Sequence, residues 1–218
     1  MQVGTKRIEK IVRSLKSFSK LDESELKLVN IHEGIDNTLL ILQHRLRAVG
    51  EHLEIEVIKN YGQLPQVTCY ASQLNQVFLN LLNNAIDALE NQSSPRVITI
   101  STSLIQTPKW SPTICPCANN IQPASDAANH RHYVIIRIAD KGSGMSEEVC
   151  QQIFDPFFTT KPVGSGTGLG LAISHQIVVE KHKGRISCIS APEKGTELIV
   201  EIPVTCNRGV SSKGIYIT

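Results

Sequence analysis

Residues 164–171 read Gly-Ser-Gly-Thr-Gly-Leu-Gly-Leu and lead into an apolar stretch, Leu169 to Val179, with the composition of a helix. Glycine at 164, 166, 168 and 170 removes every second Cβ, so the backbone N–H groups there can approach an anion closely. The helix that follows aims its positive dipole end and its unpaired N–H donors at the same place. A bare loop meeting a helix N-terminus suits phosphate, which makes nucleotide handling the first expectation. The run is not a P-loop, because no Gly-Lys-Ser/Thr closes it. Nor is it a dinucleotide fingerprint, since positions 169, 171 and 173 are Leu, Leu and Ile. Taken alone, it also reads as a flexible linker entering a core helix.

The chain has 218 residues and is 41% hydrophobic, enough for one sizeable domain with a core plus an appendage. Its 22 Lys+Arg against 20 Asp+Glu leave a net charge of +2, too balanced to make nucleic acid or an anionic membrane the main partner. No apolar stretch approaches the roughly 18 residues of a membrane span, and the N-terminus lacks a signal-peptide core. The expectation is a cytoplasmic piece that contacts neither nucleic acid nor membrane. Cysteines stand at 69, 115, 117, 150, 188 and 206, and only Cys115-Pro-Cys117 is close-paired. Nothing has zinc-finger spacing, so they read as small buried hydrophobes in a reducing compartment.

Ile8, Ile11, Val12, Leu15 and Phe18 repeat at helical spacing over 5–20, with Lys6, Arg7, Lys10, Arg13, Lys16 and Lys20 on the other face. Such a helix needs a partner for its stripe, or else lies on a membrane or nucleic acid. The acidic residues Asp22, Glu23 and Glu25 favour half of a helical hairpin. Asn30 with Glu33 has capping-box spacing and opens a helix running to about Val49. Glu54–Lys59 and Gln66–Tyr70 read as strands, Ala71–Leu89 as the longest helix, and Arg96–Ile105 as a strand. Residues 106–131 hold Pro108, Pro112, Pro116 and Pro123 and no periodic apolar face, which reads as a long or disordered insertion. A strand at Tyr133–Ala139, a short helix at 146–154 and a hairpin of Arg185–Ser190 with Glu197–Pro203 complete the pattern. Irregular alternation with hairpins predicts an α/β (α+β) two-layer sandwich on a mixed sheet.

Within the 71–89 helix, Asn80, Asn84 and Asp87 fall at i, i+4 and i+7 and share a face. A lone Asn on a helix usually turns to solvent. Three polar groups in register on an apolar helix suggest hydrated Mg²⁺ and phosphate, because Mg²⁺ keeps its waters and takes few protein ligands. Asp140-Lys141-Gly142-Ser143-Gly144-Met145 ends a strand. Its Asp either starts a turn or accepts from an exocyclic amine, with Gly142 and Gly144 letting a flat base lie close. Phe154, Phe157 and Phe158 then crowd into five positions ahead of Lys161, and that much aromatic surface needs something to pack on.

These four segments, in this order, resemble the ATP-binding domain of sensor histidine kinases, a Bergerat-type fold, over about residues 32–204. Asn80–Ala88 is similar to the family's N box, Asp140–Met145 to its first G box, Phe154–Lys161 to its F box and Gly164–Leu171 to its second G box. Gly195-Thr196 is similar to the pair that backs the adenine pocket. The resemblance implies ATP and Mg²⁺ as ligands. Asn84 would ligate the metal, Asn80 would support the phosphate–metal cluster, and Lys161 would stand by the γ-phosphate. Asp140, backed by Thr196, would read the adenine amino group. Gly142, Gly144, Phe157, Gly166, Thr167, Gly168, Leu169 and Gly170 would line the nucleotide. Asp87 would either bond near the nucleotide or cap a neighbouring loop.

The same fold serves gyrase-, Hsp90- and MutL-type ATPases, which carry a water-activating Glu four residues before the metal-binding Asn. Here that position is Asn80, and an amide cannot act as a general base. The expectation is therefore a kinase, with the ATPase or a non-catalytic nucleotide-binding module as rivals. Residues 1–22 would be the second helix of the dimerisation hairpin, 30–205 the catalytic domain, and 206–218 a tail. The helix bearing the phospho-accepting His would precede them, and His32-Glu33 lacks the Pro of that motif. His175, in the helix after the glycines, is expected to pack and not to act as a base. The implied partners are a second copy, through the bundle helix, and a response regulator receiver domain.

Overall fold

The apolar stripe of residues 71–89 decides how the layers stack. The computed structural model describes residues 25–47, 54–90, 92, 95–106, 132–162 and 167–204. Among them a strand β1 (Lys27–Val29) precedes helix α1 (Ile31–Ile41), a short helix α2 (Gln43–Leu46), β2 (Glu56–Tyr61) and β3 (Val67–Cys69). Then come helix α3 (Ala71–Leu89), β4 (Val97–Gln106), β5 (His132–Asp140), α4 (Glu147–Gln152), α5 (Gly170–His175), β6 (Arg185–Ser190) and β7 (Thr196–Pro203). Five strands form one sheet in the order β2-β4-β5-β7-β6, while β1 and β3 make a separate two-stranded piece. The β2–β4 pair is parallel and the others antiparallel, so the sheet is mixed. A parallel pair needs a crossover, and α3 lies within it.

Leu74, Val77, Phe78, Leu81, Leu82, Ala85, Ile86 and Leu89 of α3 are buried, the i, i+3, i+4, i+7 stripe of an amphipathic helix. They join Ile98, Ile100, Val134, Ile136, Ile138, Leu198, Val200 and Ile202 of the sheet in one core, with Ile31, Ile35 and Leu39 of α1. Each such Leu or Ile contributes about 1.5–3 kcal/mol when fully buried. The buried Arg96 donates from Nε to the Leu89 carbonyl at 2.9 Å, closing the C-terminal end of α3. Asn30 caps α1 by accepting from the His32 N–H at 3.0 Å. His32 itself stacks on Tyr61 with ring centres 4.3 Å apart, so it is a helix-start residue tied to the sheet edge.

The two-layer mixed-sheet class matches the expectation, and the boundaries differ locally. β1 has no counterpart in the expected elements. α1 breaks at Leu42 instead of running on, and there the Leu42 N–H closes the helix on the Thr38 and Leu40 carbonyls. The helix after the glycines is α-helical only to His175 and then widens into π-turns over Gln176–Lys181. There the N–H and the Nδ1 of His182 both meet the Ile177 carbonyl, a five-residue reach that holds the wide turns. The expected bundle helix 1–22, the tail 206–218 and the insertion from 107 to 131 lie outside the described residues; Gln106 ends β4.

Candidate functional site

One end of the sheet, one face of α3 and two loops converge. Asp140 is the last residue of β5, paired with Thr196 of β7 and Ile98 of β4. It is 8% exposed, and its carboxylate accepts the Gly142 N–H at 2.8 Å and the Thr196 N–H. Burial pushes its pKa above the ordinary carboxylate value, and those two N–H groups pull against that shift. A carboxylate has about four acceptor positions, so two N–H donors leave room for a ligand's amine.

The glycines around Asp140 are steric necessities. Gly144 takes φ +66°, and a Cβ there would sit 1.9 Å from the Ala191 carbonyl. At Gly142 a Cβ would lie 2.7 Å from the Ala88 Cβ, so this turn is pressed against the last turn of α3. Ser190 ties the turn to the β6–β7 hairpin, accepting from the Met145 N–H at 2.9 Å and donating to the Gly195 carbonyl at 2.9 Å. With its proton so used, Ser190 receives the Thr196 hydroxyl at 3.0 Å as acceptor.

The half-buried polar residues of α3 reach three different neighbours. Asn80 donates from Nδ2 to the Gly170 carbonyl at 2.9 Å and to Ser174 Oγ at 3.1 Å, which fastens α3 to the start of α5. Lys161 brings its ammonium to Asp87 Oδ2 and to within 3.5 Å of Asn84 Oδ1. The other oxygen of Asp87 takes Arg45 Nη2 at 2.5 Å. Burial works against the charge on Arg45, but the hydrogen bonds and charges of Asp87 and Glu90 outweigh it, so its pKa lies above the ordinary value.

The Phe-rich segment and the glycine run are in direct contact. The Phe157 N–H donates to the Gly168 carbonyl at 2.9 Å. Both residues have positive φ, +68° and +64°. A Cβ on Gly168 would lie 2.4 Å from the Phe157 carbonyl carbon. The three phenylalanines diverge: Phe154 and Phe158 pack on the core, whereas Phe157 is 74% exposed. Phe154 leans on the His175 ring at 5.6 Å, and burial lowers the pKa of that histidine, as suits a packing residue.

Asp140, Gly142, Gly144 and Thr196 thus form one group at the sheet end, and Asn84, Asp87 and Lys161 another along α3. Asn80 links α3 to the Thr167–Gly170 end of the glycine run, where Thr167 Oγ1 accepts weakly from the Leu169 N–H at 3.4 Å. Gly164 and Gly166 lie outside the described residues. Sequence reasoning missed Arg45, Ser174 and Ser190, which carry no motif and become visible only through their partners.

Among the described residues no three or more His, Cys, Asp or Glu gather to hold a metal ion. Cys69, Cys150 and Cys188 are buried; the other cysteines lie outside the described residues. The amide oxygen of Asn84 is a neutral hard donor, which fits an Mg²⁺ held mainly by phosphates and water. No described helix is long and apolar enough to cross a membrane.

Residues 69–205 match the family described as histidine kinase-, DNA gyrase B-, and HSP90-like ATPase. The chain is 30% identical over 201 residues to the sensory histidine kinase/phosphatase NtrB of Rhodobacter capsulatus, covering 92% of this chain and 50% of that protein. It is 28% identical over 202 residues to sporulation kinase E of Bacillus subtilis, covering 93% of this chain and 23% of the relative. The chain therefore spans half or less of these relatives. The solved catalytic domain of histidine kinase ThkA superposes with a TM-score of 0.59 at 26% identity, over 83% of this chain and 96% of that one.

Proposed function

We propose, from the premise that this chain belongs to the histidine kinase-, DNA gyrase B-, and HSP90-like ATPase family, that it is the ATP-binding catalytic part of a two-component sensor histidine kinase. It transfers the γ-phosphate of ATP to a histidine on a separate helix, for onward delivery to a response regulator receiver domain. The carrying observation is Asn80. In the water-activating relatives this position is a Glu; here it is an amide whose Nδ2 is already donating to Gly170 and Ser174. An amide so engaged takes no proton from water, and ATP is kept until an acceptor side chain arrives.

Asp140 accepts the adenine amino group, and Thr196 and Gly142 hold its carboxylate in place. Gly144, by its close approach to the β6–β7 turn, keeps the base side open and flat. Asn84 would hold Mg²⁺ through its amide oxygen, and the metal would supply neutralisation of phosphate charge. Lys161 adds a second cation there. Gly166, Thr167, Gly168, Leu169 and Gly170 are the N–H donors to phosphate in this reading, and Phe157 stands exposed beside Gly168. With no general base required, the chemistry reduces to positioning and charge compensation. In the same proposal residues 1–22, read from the sequence as half of a helical hairpin, pair with a second copy, and the catalytic part works on the cytoplasmic side.

The test is to add ATP labelled in the γ-phosphate to this chain together with a separate protein that carries a phospho-accepting helix. Label on a histidine of the helix supports the kinase. Rapid release of free phosphate with the helix unlabelled would mean an ATPase instead.

A further inference from the structure

We infer that Arg45, on α2, is a positioning residue for the phosphate end of the site, acting through Asp87 to set how tightly Lys161 is held. This deepens the reading of Lys161 as the cation beside the terminal phosphate, and rests on it.

The guanidinium of Arg45 serves two acceptors of α3 and a third, Glu90, that directly follows it. Nη1 donates to Asn83 Oδ1 at 2.8 Å, and Nη2 to Asp87 Oδ1 at 2.5 Å and to Glu90 Oε1 at 2.7 Å. Lys161 takes the other oxygen of Asp87. One carboxylate is therefore shared by two cations, one supplied from α2 before the helix and one from the loop after it. The side chains of Arg45 and Asp87 are 27% and 25% exposed, sheltered enough for the sharing to matter more than it would between solvated ions.

The sharing has a consequence for Lys161. With Arg45 in place, part of the charge of Asp87 is already answered, and Lys161 can turn toward an incoming polyphosphate without leaving a bare carboxylate behind. Without Arg45, Asp87 would hold Lys161 alone, and moving Lys161 would expose an unpaired negative charge close to the phosphates. Both effects disfavour the nucleotide with the larger terminal charge. Neither touches the base end, where Asp140 binds from β5. Asn83 and Glu90 fix the plane of the fork, so a lysine at 45 would keep the charge and lose only the fork.

The experiment is displacement of a fluorescent nucleotide from the whole chain by ATP and by ADP, with Mg²⁺ present. Arg45→Gln should cut ATP affinity about tenfold, the scale of one charge-assisted hydrogen bond, and ADP affinity much less. Arg45→Lys should retain most of the ATP preference. Adding Asp87→Asn to Arg45→Gln should restore it, because Lys161 is then released. Equal losses for ATP and ADP, or a double variant as weak as Arg45→Gln, would overturn the inference. Lys161→Met separates it from the reading beneath. If that variant leaves the ATP:ADP ratio unchanged, the role of Lys161 falls and the inference with it. If it collapses the ratio while Arg45→Gln does not, the inference alone falls.

Discussion

Asp140 is buried and yet solvated by the backbone, and that combination makes it a sharp probe. An Asn at 140 keeps an oxygen for the Gly142 N–H and sheds the cost of a buried charge, so the fold should persist. Its amide nitrogen would meet an adenine amine donor to donor. Asp140→Asn should therefore weaken ATP about ten- to hundredfold, the loss of a bond worth about 1.5–3 kcal/mol, with Tm nearly unchanged. Titration with a fluorescent ATP analogue beside a thermal melt measures both; unaltered affinity removes the adenine role. Asn84→Ala makes a different demand. It should weaken Mg²⁺–ATP far more than metal-free ATP, because Asn84 offers a neutral amide oxygen 3.5 Å from the Lys161 ammonium. Equal weakening of both would leave the side chain structural. The motif residues could be read from the sequence because strand ends and helix registers place them without further help. Arg45 could not, since an arginine on the polar side of a helix looks like any solvated cation until Asn83, Asp87 and Glu90 are seen around it.

Elements were legible where the apolar period is long and unambiguous. The stripe from Leu74 to Leu89 gives α3 its ends within the sequence, alternation gives β4, and runs rich in Ile and Val mark β5 and β7. β1 was illegible because three residues cannot display a period, and Leu28 is exposed; its pairing with Val67–Cys69 is what makes it a strand. The π-turns of Gln176–Lys181 were hidden for another reason, since their widening depends on His182 and not on residue type within the helix. The crossing of the Phe-rich loop and the glycine run predicts a contrast between two neighbouring glycines. A Cβ at 168 meets both positive φ and the Phe157 backbone, so Gly168→Ala should cost at least about 1–2 kcal/mol of left-handed strain and lower Tm by several degrees. A Cβ at Gly170 finds ordinary contact, 3.6 Å from Asn80 Cγ. Gly170→Ala should melt like the parent while still weakening ATP, if the N–H groups there cradle phosphate. Melting curves and ATP titrations of the two variants decide it; a common Tm loss would tie both glycines to folding alone.

Across the whole molecule, stability should depend on keeping three histidines neutral. His182 is 7% exposed and joins distant parts of the chain: its Nε2 accepts the Tyr70 N–H at 3.1 Å, just before α3, and its Nδ1–H donates to the Ile177 carbonyl at 2.9 Å. Both ring nitrogens are satisfied only in the neutral form, because a protonated ring has no acceptor left for Tyr70. Burial lowers its pKa, with the Ile177 contact opposing, and burial likewise lowers His32 and His175. The sign follows from proton counting. Between the lowered folded values and the unfolded value near 6.5, the unfolded chain binds more protons, so acid favours unfolding there. Stability is complete above about pH 6.5, falls as pH drops toward the folded values, and stops falling below them. Asp140 and Glu201 cannot cause that loss, because burial raises their pKa values and their native forms gain protons first. Urea unfolding at pH 7.5 and 5.5 should therefore show a lower midpoint at 5.5. His182→Gln should be less stable than the parent at pH 7.5, having lost one of the two bonds, and should show a shallower loss between the two pH values. If the variant kept the parent's full acid sensitivity, the bridge between α3 and the π-turns would not be the titrating element.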